Sequence, residues 1–162
     1  MGCGLGQMAI GLSLRSKKLD ESRRPALNEL MTRLGEHKTR LQNCVEEDSR
    51  SFDVFMAAVK LPKDNPERKA RMQAALKHAA EVPLETARLA YEALSGLRVC
   101  ASMVLPHVVS DYRSAGYLLQ ASIRCAAENV FINAESMEDR ESAVRMVSEA
   151  KGYIAACVEQ PA

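Results

Sequence analysis

Two ionisable side chains, His37 and Asp48, interrupt an otherwise apolar run: Leu27, Leu30, Leu34, Leu41, Cys44, Phe52, Phe55 and Val59. The spacing of that run is one face of a helix. A carboxylate between Cys44 and Phe52 must be ion-paired, protonated or open to a cavity, because burying it alone is costly. The bland reading of Asp48 is a salt bridge to an arginine of another helix. The functional reading is a proton-transfer group in a cleft. His37 lies eleven positions earlier, about 16 Å away along a helix axis, so the two cannot act as a pair. On its own, His37 reads as a half-buried histidine with a local partner.

Other residues bearing chemistry are less distinctive. Ser110-Asp111 reads first as a helix start, with serine as N-cap and the acid in the first turn. Asn129 and Asn133 are one turn apart and share a helix face with Ala126 and Ser122. That small, polar stripe either lines a ligand cleft or marks close helix packing. The five cysteines are scattered, with no C-x-x-C pair, and the three histidines are far apart. No disulfide framework, zinc site or other metal motif is expected, and reduced thiols of a cytoplasmic protein are the simplest account. Gly2, Gly4, Gly6 and Gly11 do not form a phosphate-binding loop and read as close helix–helix contacts. The opening M-G-C has Gly6 where N-myristoylation wants Ser or Thr.

The elements that must position these residues are helices. Residues 20–59 are rich in Leu, Glu, Arg, Lys and Ala, with Pro25 near the start, where proline is tolerated. The turn K-L-P-K-D-N-P-E follows, with Asn65 as N-cap and Pro66 at the first position of a helix running to about Leu97. Pro83 falls inside that helix and is expected to kink or split it. A further helix starts after Ser110 and runs to about Asn133. Ser136-Met137-Glu138-Asp139 resembles a capping box before a last helix from about Glu138 to Val158. No strand pattern or repeat stands out. The expectation is an all-α bundle of five or six helices, some long and kinked, in a single domain over residues 1–162.

Composition narrows the function classes. Aromatics make up 4% of the 162 residues and tryptophan is absent, which disfavours β-barrels and base-stacking surfaces. The net charge of +1 points to neither nucleic acid nor membrane. The uncharged first fourteen residues are too few to span a bilayer, which takes about 20.

Five blocks, in order, resemble the cyclodeaminase/cyclohydrolase family: V-E-E-D-S-R-S-F, A-A-V-K-L-P-K-D-N-P-E-R, E-V-P-L-E, S-D-Y-R-S-A and E-N-V-F-I-N. The resemblance implies an all-α domain, a homodimer or higher homo-oligomer, and a tetrahydrofolate derivative as substrate, possibly polyglutamylated. It implies closure of 5-formiminotetrahydrofolate to 5,10-methenyltetrahydrofolate with release of ammonia. The alternatives are hydrolysis of the methenyl form and an inactive relative that serves as a binding or dimerisation module. The family's D-x-D-A-x-A-F-like block corresponds here to E-E-D-S-R-S-F, which puts the catalytic acid on Asp48 and a second acid on Glu46. Asp111 would orient the pterin or support Asp48, Ser110, Asn129 and Asn133 would bind the pterin edge, and Lys60 and Lys63 would meet the glutamate tail. Family members carry a G-G-G-S segment just before the position of Met1, so the domain is expected to be truncated at its N-terminus. Gly-Asn, which the family often carries before Ser-Asp, is replaced here by Val104-Leu105.

Overall fold

Helix-forming composition and well-placed prolines resolve into five α-helices in a computed structural model that describes residues 1–158. They are α1 (Gly2–Arg15), α2 (Arg24–Val59), α3 (Arg68–Val99), α4 (Val109–Glu135) and α5 (Arg140–Val158). Single 3-10 turns, Glu21–Arg23 and Pro106–Val108, precede α2 and α4. No strand occurs among the described residues, so the all-α expectation holds.

The helix starts show which polar residues are structural. Asp20 Oδ1 accepts from the Ser22 amide at 2.9 Å and caps the turn that feeds α2, where Pro25 sits in the first turn. Asn65 Oδ1 accepts from the Glu67 amide at 2.9 Å. It therefore caps the turn before α3, which begins three residues later than Asn65 rather than at Pro66. The helix at Ser110 also starts earlier than its composition suggested. Pro106 opens a 3-10 turn that runs directly into α4, so Ser110 lies inside the first turn, exposed, and is not the cap. At α5, Asp139 rather than Ser136 does the capping, accepting from the Ser142 amide at 3.0 Å.

Pro83 does not split α3, which is continuous from Arg68 to Val99. Proline has no N–H, so it leaves the carbonyl of the residue four positions back without its helical donor. That residue is Ala79, and its oxygen accepts instead from Asn133 Nδ2 of α4 at 2.7 Å. One side chain on the neighbouring helix thus repairs the ladder at the proline.

Two apolar clusters hold the helices together. The larger joins α1, the first half of α2, the end of α3 and the start of α4, through Ile10, Leu27, Leu34, Leu94, Leu97, Tyr112 and Leu119. Tyr112 donates its hydroxyl to the Leu97 carbonyl at 2.7 Å, so its polar atom is satisfied inside that core. The smaller joins the start of α3, the end of α4 and α5, through Leu76, Val130, Met137 and Met146. α1 lies hard against α4. A Cβ on Gly2 would meet Leu119 Cγ at 2.8 Å and the Ala115 carbonyl at 3.0 Å, while Gly4 faces open space. The close-packing reading of the N-terminal glycines therefore holds for Gly2 but not for Gly4.

The site lies along the part of α2 that α1 does not reach. α1 runs back along α2, with Arg24 donating to the Leu14 carbonyl and Gln7 to the Met31 carbonyl. It covers α2 only as far as the Lys38–Leu41 turn. Beyond that, none of the described helices lies over the outer side of α2.

Candidate functional site

Where α1 gives out, a cleft opens between α2, α3 and α4. It is lined by Leu41, Cys44, Val45, Asp48 and Ser49 of α2, Pro83 and Thr86 of α3, and Ser122, Cys125, Ala126 and Asn129 of α4, and holds about 310 Å³. Asp48 is its only charged residue. A second lobe of about 550 Å³ continues toward the start of α1, adding Gly2, Cys3, Lys38, Gln42, Leu118 and Leu119. Leu41, Val45, Thr86, Ser122 and Cys125 line both lobes, so the two form one trough.

The α2 arc is helical arithmetic: 41, 44, 45 and 48 lie on one face. The α4 wall is the small, polar stripe of the sequence, in which Ser122, Ala126 and Asn129 leave room where larger side chains would fill it. Of the two readings of that stripe, the cleft applies to Asn129 and the packing role to Asn133, which is spent on the Ala79 carbonyl. Asn129 is one turn back from Asn133, opposite Pro83, and its Nδ2 donates to its own helix at the Cys125 carbonyl, 3.2 Å away.

Asp48 departs from its expected environment. The apolar seam of α2 does not run its whole length: Leu27, Leu30 and Leu34 are buried, but Asp48 is exposed and Phe52 is 62% exposed. Ser51 and Ala58 take the buried positions instead. The carboxylate is therefore solvated from the mouth of the trough and needs no buried partner. Within this chain the apolar seam does not bury Asp48.

The remaining predicted site residues do not gather around Asp48 within one chain. Glu46, two positions away and so turned to another face of the helix, is exposed and ion-paired to Arg50 at 3.0 Å. Ser110 and Asp111 lie in the first turn of α4. Asp111 is eighteen residues before Asn129, about 27 Å along the helix. Lys60 follows the last residue of α2 and Lys63 is in the turn beyond it. Lys60 is twelve residues past Asp48, about 18 Å away along the axis. Neither lysine lines the trough. Among the trough residues that escaped sequence reasoning are Lys38, Thr86 and Cys125. Lys38 was within reach of it, one turn before Leu41 and Gln42. Thr86 carried no signal, because nothing in the chain says that α3 forms the floor.

His37 is buried on the α3 side of α2, outside the trough. Its Nδ1 has no hydrogen-bond partner and lies 3.9 Å from Glu92. Burial lowers its pKa from the ordinary histidine value, and the nearby Glu92 carboxylate opposes this. Beside it, Arg40 of α2 reaches Glu85 of α3 at 2.6 Å and ties the two helices together, while Arg88, one turn on in α3, holds the same carboxylate at 2.6 Å. Among the described residues no cluster of three or more His, Cys, Asp or Glu side chains is gathered as a metal site. No helix among them is long and apolar enough to cross a membrane.

A five-helix bundle with a trough carrying one carboxylate is the class that the fold and site define. The chain belongs to the formiminotransferase-cyclodeaminase family, whose model matches residues 1–152. It is 33% identical, over 159 residues, to a methenyltetrahydrofolate cyclohydrolase of Methylorubrum extorquens, covering 96% of this chain and 76% of that protein. It is 31% identical to a formimidoyltransferase-cyclodeaminase of Sus scrofa, covering 86% of this chain but only 26% of that much longer one. Its fold matches that of a formiminotetrahydrofolate cyclodeaminase from Thermotoga maritima with a TM-score of 0.83, at 24% identity, over 97% of this chain and 77% of that one.

Proposed function

We propose that this chain is a one-carbon enzyme of tetrahydrofolate, that its reaction is hydrolysis of 5,10-methenyltetrahydrofolate to the 10-formyl form, and that Asp48 is its proton-transfer group. The observation that carries the reading is the trough itself: a slot between three helices whose inner lobe holds a single charged group, a carboxylate. The likeness to a cyclohydrolase along three-quarters of that relative's own length favours hydrolysis over ring closure.

The chemistry asks for one acid–base group. Water adds to the carbon between N5 and N10 and must lose two protons as it becomes the formyl oxygen. A carboxylate takes one and delivers it to N5 as the carbon–N5 bond breaks. The other leaves to solvent and discharges the cationic methenyl group. Asp48, open at the trough's mouth, can do both jobs without a second acid. Asn129, at the same end, is placed to hydrogen-bond the pterin edge. Ring closure of the 5-formimino form is the second reading, favoured by the match to the bifunctional Sus scrofa relative. There the same carboxylate takes the N10 proton and gives one to departing ammonia.

One absorbance assay separates these readings. The near-ultraviolet band of the methenyl form is followed with the purified chain and with Asp48→Asn. Wild type is expected to speed decay of the band above the buffer rate, and Asp48→Asn to lose at least about a hundredfold of that rate with an unchanged melting temperature. Near-normal turnover by Asp48→Asn removes the residue from the mechanism. Growth of the band from 5-formiminotetrahydrofolate, with no effect on its decay, makes the chain a cyclodeaminase. Inertness of the folded chain toward both substrates overturns the enzyme reading.

A further inference from the structure

The two lobes of the trough differ in charge. The inner lobe has Asp48 and no cation; the outer lobe has Lys38 and the terminal ammonium at Met1, and no carboxylate. Lys38 forms no ion pair with any described residue, although its ammonium is near enough to act on the buried Cys3 thiol in the same lobe. Gln42, one turn on, lines the lobe with it. Lys38 and Asp48 are ten residues apart on one helix, about 15 Å, with the lining shared by both lobes running between them.

We infer that Lys38 is the residue that selects the anionic tail of the substrate, binding a carboxylate of the glutamate while Asp48 works on the one-carbon group. This rests on the folate reading above. A folate carries its reactive carbon at one end and its carboxylates at the other, joined by a flat, stiff aminobenzoyl amide. A slot with an acid at one end, a cation at the other and small or apolar walls between matches that order of groups. The lysine acts as a point charge that tolerates several carboxylate positions, so either carboxylate of the tail serves. Lys60 and Lys63 lie off the opposite end of α2 and line neither lobe of the trough.

The test is equilibrium binding of two stable ligands: 5-formyltetrahydrofolate, and the matching 5-formyltetrahydropteroate, which lacks the glutamate. Wild type, Lys38→Met, Lys38→Arg and Lys17→Met are compared at low salt. Lys38→Met is expected to weaken the glutamylated ligand about three- to fivefold, as for a solvent-exposed ion pair. It should leave the pteroate unchanged, with Lys38→Arg restoring most of the loss and Lys17→Met without effect. In turnover the loss should fall on KM and not on kcat. Equal loss for both ligands, or none for either, overturns the role of Lys38 and leaves the folate reading standing. Failure of wild type to bind either ligand overturns both.

Discussion

In the first half of α2, Leu27, Leu30, Leu34 and His37 are buried between α1 and α3; in the second half, Asp48 and Phe52 continue the same spacing and stand open. The two halves share one helix and one period, although the first carries Leu27, Leu30, Leu34 and Leu41 and the second no leucine. They differ in what lies over them. α1 has 14 residues and α2 has 36, so α1 spans about 21 Å of a helix about 54 Å long. The covered half serves as core, and the uncovered half becomes the wall of a trough.

The sharpest way to break this contrast is to truncate one apolar residue in each half. Leu34→Ala, at a fully buried position, is expected to cost about 2–5 kcal/mol in urea unfolding. Phe52→Ala, being mostly exposed, should stay within about 0.5 kcal/mol of wild type. A loss for Phe52→Ala approaching that for Leu34→Ala would mean that a second copy covers the outer half in solution. Sedimentation of the two variants would then show different oligomeric states.

A smaller effect sharpens the account of how α3 floors the trough. Asn133→Ala leaves the Ala79 carbonyl without its donor and should cost about 1–3 kcal/mol. In a Pro83→Ala background the helical N–H returns, and the same change should cost markedly less. The coupling is read from a double-mutant cycle by thermal or urea unfolding. Equal costs in both backgrounds would show that Asn133 acts through packing alone.

The smallest effect concerns the buried half and pH. The folded-state pKa of His37 is lowered, first by burial and then by Arg33 and Arg40, against Glu92 and Glu36. The unfolded chain therefore binds this proton more readily than the folded one, and stability falls as pH drops below the ordinary histidine value of about 6.5. Above that pH the group is neutral in both states and contributes no slope. His37→Leu should flatten the stability curve between pH 7 and 5, measured as the urea midpoint, relative to wild type. A steeper curve for the variant would mean that Glu92 outweighs burial.

Much of the architecture was legible along the chain. Good helix formers, Pro25, the K-L-P-K-D-N-P-E turn and the acid near the start of each of the last two helices mark α2 to α5 to within a few residues, while α1 carries no such signal. These are local signals, carried by backbone propensity and by side chains that bond amides two or three positions away. The candidate site was legible in part. Asp48 stood out as a misplaced acid, and the Ser122–Asn133 stripe as either a cleft lining or close helix packing. The reason given for Asp48 did not hold, because it assumed that a seam buried at Leu34 stays buried at Phe52.

What the sequence determined by itself was therefore the helices, their ends and the few side chains that break their faces, since each depends on neighbours within a turn or two. Only the tertiary structure decided that Pro83 leaves α3 whole, because the missing donor comes from Asn133, fifty positions further on. It alone placed Lys38 and Asp48 in one trough and left Glu46, Asp111, Lys60 and Lys63 outside it. Those outcomes depend on which helix lies over which, and no periodicity within a single helix carries that information.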